Sequence, residues 1–60
     1  MQNNDVTAIY NELLEKKTVI LPDEFSDYDV DVLCHIIQNK IKREHPLLIF
    51  QKTERVIYVF

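Results

Sequence analysis

An α+β domain of order α-β-α-β-β is the fold class this chain predicts, with two amphipathic helices packed on a small three-stranded antiparallel sheet. Three observations carry it. Apolar residues recur at helical spacing over residues 6–14 and again over 30–41. Thr18-Val19-Ile20-Leu21 is a mostly β-branched run stopped by Pro22. The last fourteen residues, LLIFQKTERVIYVF, are two apolar arms around a polar tip.

In the first helix, Asn4 or Asp5 is the expected cap, and Val6, Ile9, Tyr10, Leu13 and Leu14 fall on one face. Asn11, Glu12 and Glu15 take the opposite face, and Glu12 stands four residues before Lys16, the favourable order for an ion pair. Lys16 and Lys17 suit the negative end of the helix dipole. After the strand at 18–21, a second helical region opens at Asp23 or Ser26, where Ser26-x-x-Asp29 approximates a capping box. Val30, Leu33, Cys34, Ile37 and Ile41 form its apolar stripe, and Pro46 stops it. Segment 22–45 reads as one helix or as two.

The terminal ribbon raises the functional question. Strand residues point alternately to two faces, and a hairpin on a surface normally shows polar residues on one of them. A turn around Thr53–Glu54 pairs Phe50 with Ile57, Ile49 with Tyr58 and Leu48 with Val59. One face then holds Leu47, Ile49, Gln51, Val56, Tyr58 and Phe60, and the other Leu48, Phe50, Ile57 and Val59 with Lys52 and Arg55 near the tip, so both are mainly apolar. The ribbon is therefore a slab clasped by the helices, or a slab with one face left bare for a partner. The chain has no glycine, so the usual tight hairpin turns lack their preferred residue.

Sixty residues make a single domain, 1–60, with a frayed end at 1–4, and such a domain buries only about 60% of the surface its unfolded chain exposes. One cysteine allows no internal disulfide, no basic leader precedes an apolar run, and no run is long enough to span a membrane. These features predict a cytoplasmic protein with no membrane partner. The net charge of −3 is unevenly spread: residues 1–31 carry net −6 and residues 32–60 net +3.

Signatures of chemistry are sparse. Asp27, Asp29 and Asp31 alternate as at the start of a calcium loop, but Val32 and Gln38 stand where glycine and glutamate are needed. Adjacent helical residues point about 100° apart, so Cys34 and His35 cannot serve each other as nucleophile and base. Cys34 belongs to the apolar stripe, His35 follows Asp31 by one turn as an ion-pair partner, and His45 sits at a helix end. No catalytic, metal or cofactor residue is assigned, and neither an enzyme nor a small-molecule substrate is expected.

The reading is a small non-enzymatic regulator or inhibitor that binds a protein partner or a second copy of itself as a homodimer. Its interface would come from the ribbon: Leu48, Phe50, Ile57 and Val59, or Ile49, Tyr58 and Phe60. A tiny, acidic, glycine-free chain suits a phage or plasmid regulator. The alternative partner is nucleic acid. In element order, and in placing a polar helix before a C-terminal hairpin, residues 5–60 resemble winged-helix domains. The resemblance implies a DNA-binding transcriptional regulator whose 30–44 helix offers His35, Gln38, Asn39, Lys42 and Arg43, and whose 51–55 wing offers Lys52 and Arg55.

Overall fold

The computed structural model describes residues 3–60, with side chains from Asp5 onward. Its elements are α1 (Asn3–Lys16), β1 (Thr18–Ile20), α2 (Asp27–Glu44), β2 (Phe50–Thr53) and β3 (Val56–Val59). The order is the expected α-β-α-β-β. Both helices lie on one face of an open antiparallel sheet of strand order β1-β3-β2. Met1 and Gln2, part of the expected frayed end, lie outside the described residues. Backbone is already helical at Asn3, so Asn4 and Asp5 sit inside the first turn instead of capping it. Asp5 there places negative charge at the positive end of the dipole.

Leu13 and Tyr10 carry the buried stripe of α1, with Val6, Ile9 and Leu14 packed at its margins. The expected Glu12–Lys16 pair does not form; the ion pairs that do form include Lys40–Glu44, Lys52–Asp31 and Arg55–Asp27. Lys17 ends α1 in the left-handed region (φ 70°), and its N–H donates to the Leu13 carbonyl at 2.8 Å. The Lys17 carbonyl then accepts from the Val59 N–H at 2.9 Å, so the helix cap is also the start of the sheet.

Segment 22–45 is one helix preceded by a tight turn, in which the Phe25 N–H donates to the Pro22 carbonyl. Ser26 is the N-cap, and its Oγ accepts from the Asp29 N–H at 3.1 Å. At the other end the His45 N–H donates to the Ile41 carbonyl, and Pro46 follows. Val30, Leu33, Cys34, Ile37 and Ile41 are the buried stripe of α2, as their spacing predicts. The core closes with Val19, Leu21, Ile57 and Val59 from the sheet side.

The hairpin register differs from expectation by two residues. Phe50 pairs with Val59, Gln51 with Tyr58, Lys52 with Ile57 and Thr53 with Val56, leaving Glu54–Arg55 as the loop. A turn at Thr53–Glu54 would set Lys52 directly opposite Arg55, and like charges across a strand pair are destabilising. In the observed register Lys52 faces Ile57 and Arg55 is free to turn back. Glu54 takes the left-handed position (φ 53°) that glycine would normally fill. A shift of two preserves face membership, so the two apolar sets survive intact.

Candidate functional site

The sheet has a covered face and a bare one. Val19 is paired with Ile57, and both point to the helices. With them point Val59, buried, and Leu48 and Phe50, partly buried against the core. Of the two ribbon sets, Leu48, Phe50, Ile57 and Val59 are thus core. Ile57 in particular has no exposed surface to offer a partner, because both helices lie on its side.

The other set is bare, and β1 enlarges it. Strand pairing places Thr18, Tyr58 and Gln51 in one row across the sheet and Ile20, Val56 and Thr53 in the next. A third row is Phe60 and Ile49, which exchange two backbone hydrogen bonds of 3.1 and 2.9 Å. Val56, Tyr58 and Phe60 make an apolar spine along the central strand, flanked diagonally by Ile20 and Ile49. Thr18, Gln51 and Thr53 complete a polar margin. The rings of Tyr58 and Phe60 stack with centroids 6.1 Å apart. Ile20 is 76% exposed, Phe60 63% and Ile49 50%. None of these eight residues is Asp, Glu, Lys, Arg or His. Ile20 was missed as a site residue, and Val56, expected on this face, was not counted in the interface. Strand alternation in Thr18-Val19-Ile20 was the available signal, since burying Val19 must expose Ile20.

A second group of polar residues joins the hairpin tip to the start of α2. Arg55 donates from Nη1 to the Pro22 carbonyl at 3.0 Å, and its Nη2 lies 3.7 Å from Asp27 Oδ1. Lys52 Nζ lies 3.7 Å from Asp31 Oδ1. An open cleft of about 470 Å³ between them is lined by Asp27, Val30, Asp31, Lys52, Glu54 and Arg55. Both cations assigned to the wing therefore stand beside carboxylates. Asp31 pairs with Lys52 and not with His35, the partner expected from helical spacing. His35, Gln38, Asn39, Lys42 and Arg43 are all exposed on α2.

Where α1 meets the last turn of α2, the Tyr10 hydroxyl donates to Glu44 Oε1 at 2.9 Å. Lys40 Nζ donates to Glu44 Oε2 at 3.3 Å and sits 4.9 Å over the Tyr10 ring. Burial, then the hydrogen bond and charge of Glu44, push the Tyr10 phenol up to about 12. The hydrogen bonds from Tyr10 and Lys40 hold Glu44 below its ordinary value. Burial raises the Cys34 thiol above its ordinary value, against the opposing charge of Lys52.

No group of three His, Cys, Asp or Glu side chains among the described residues is arranged to hold a metal ion. No described helix is long and apolar enough to cross a membrane. No protein-family model, curated protein or solved structure matches the chain.

Proposed function

We propose that the chain is a small non-enzymatic regulatory or inhibitor protein of the cytoplasm that docks a protein partner on the outer face of its sheet. The observation that carries this reading is the apolar spine of Val56, Tyr58 and Phe60, with Ile20 and Ile49 beside it and no described element covering it. An apolar centre with a polar margin is the anatomy of a docking patch. Burying such side chains fully is worth about 1.5–3 kcal/mol each. Affinity purification from the native host tests the reading, with Ile20→Asp and Tyr58→Asp beside the wild type. A partner retained by the wild type and lost with both folded variants is expected. Partners that bind all three proteins equally would refute the reading.

A second reading, winged-helix-like DNA binding, draws support from the exposure of His35, Gln38, Asn39, Lys42 and Arg43 along one helix. Pairing of Lys52 and Arg55 with Asp31 and Asp27 weighs against it, because those carboxylates stand where phosphate would have to approach. Duplex binding that falls steeply with salt and weakens in Lys42→Ala and Arg43→Ala would favour this second reading. A duplex that binds neither form at low salt eliminates it.

A further inference from the structure

Helix α2 carries a second apolar stripe that the core does not use. Tyr28, Val32 and Ile36 recur every four residues, so they fall within an arc of about 80°, roughly opposite the buried Cys34 and Ile41. Tyr28 is 76% exposed, Ile36 39% and Val32 half-buried. With Asp31 and His35 these three line a shallow depression of about 480 Å³.

The charges along this stripe are sorted by position. From Asp27 to Asn39 the helix has acids and no Lys or Arg; from Val32 to Arg43 it has bases and no acid. Asp29 and Lys40 lie on one flank of the stripe, and Asp31 and Lys42 on the other, each pair eleven residues and so about three turns apart. A parallel copy of the helix would set acid against acid. An antiparallel copy reverses the order, and like flanks then meet.

We propose that two copies of the chain associate through an antiparallel α2–α2 contact, with the two-fold axis crossing the helix between His35 and Ile36. Symmetry about that point sets Tyr28 level with Arg43 of the other copy, and Val32 level with Asn39. Asp31 comes within about 3 Å of the level of Lys42, and Asp29 of Lys40, at 1.5 Å rise per residue. Lys40 is already bound to Glu44 and Tyr10, which leaves Asp31–Lys42 as the pair that selects the partner. Asp31 keeps a side chain 75% exposed beside Lys52, so it has room for a second cation. Nucleic acid fits this stripe poorly, since half of it is acidic. The contact is separate from the sheet face, and either surface can fail its test without the other.

Sedimentation equilibrium across a range of concentrations, at about 50 mM and about 500 mM salt, tests it. A monomer–dimer equilibrium is expected, several-fold weaker at the higher salt. D31K and K42E should each weaken it about tenfold or more, by facing like charges. An equimolar mixture of the two variants should dimerise again, because every contact between unlike chains is then restored. Should D31K fail to fold, Ile36→Asp at the centre of the pair must abolish the dimer. A monomer at every concentration overturns the proposal. So does a folded pair of charge variants whose mixture stays monomeric, a dimer lost with Tyr58→Asp and kept in K42E, or a Lys42-dependent DNA complex of a monomer.

Discussion

The two faces of one three-stranded sheet each carry an apolar set, and the two sets have opposite fates. Val19, Ile57 and Val59 point inward and are buried, while Ile20, Val56, Tyr58 and Phe60 leave the same strands in the other direction. Neither apolar content nor strand propensity separates them. The separation comes from the helices: both amphipathic stripes need cover, and placing both on one face gives each of them the sheet and the other helix. No third layer exists among the described residues, so the outer face is left to solvent or to a partner.

The strongest way to break this comparison is to truncate one isoleucine on each face. Ile57→Ala removes a side chain with no exposed surface and should cost about 2–5 kcal/mol, enough to unfold a domain of this size under mild conditions. Ile20→Ala, one row away and on the opposite face, should stay within about 0.5 kcal/mol. Urea titration followed by far-ultraviolet dichroism reads both. Equal losses would mean that the outer face is covered within the monomer.

A milder contrast exchanges a methyl for a hydroxyl on each side. Val59→Thr introduces a polar group into the core with no partner in view and should cost about 1–3 kcal/mol. Thr18→Val removes only the long 3.3 Å hydrogen bond from Oγ1 to the Ile57 carbonyl, at an exposed position. Its effect on the urea midpoint should be close to zero.

Which of these positions faces inward was legible in the sequence only up to a choice. Period-two alternation separates the ribbon into two sets, and helical spacing identifies the stripes of α1 and α2. Neither says which ribbon set the helices cover, because that depends on how the chain passes from α2 through Pro46 to β2. The turn itself was placed one residue early, which shifts the strand register by two. Without a glycine to mark the left-handed position, local sequence offers Thr53–Glu54 and Glu54–Arg55 almost equally. The decision lies in the repulsion between Lys52 and Arg55 and in the distant Pro22 carbonyl and Asp27, which only the folded chain brings to Arg55.

The turn gives the next prediction. Glu54 at φ 53° carries a β-carbon where a left-handed backbone disfavours one. Glu54→Gly should raise stability by up to about 1 kcal/mol, once the larger entropy of glycine in the unfolded chain is offset. It should leave the Phe50–Val59 pairing unchanged, as amide exchange along β3 would report. A destabilised variant, or a new exchange pattern, would show that Glu54 fixes the register by more than its backbone.

The smallest expected effect lies at the border of the core, where Tyr10 meets Glu44. Tyr10 is raised from its ordinary value of 10.0 to about 12, so its contribution is complete below pH 10 and is lost as pH rises through about 12. Glu44 is lowered from 4.5, so its contribution is complete above that value and is lost as pH falls through the depressed one. The stability difference between wild type and Tyr10→Phe should therefore be flat across the neutral range and shrink at both ends. Cys34, raised by burial, weakens both proteins equally on the alkaline side and cancels in the difference. Ultraviolet titration should lose a phase near pH 12 in Tyr10→Phe. A difference that stays constant from acid to alkali would mean that the two helices are held at this corner by packing, with the hydrogen bond contributing nothing. The inner face would then end at the aromatic ring of Tyr10 and not at its hydroxyl.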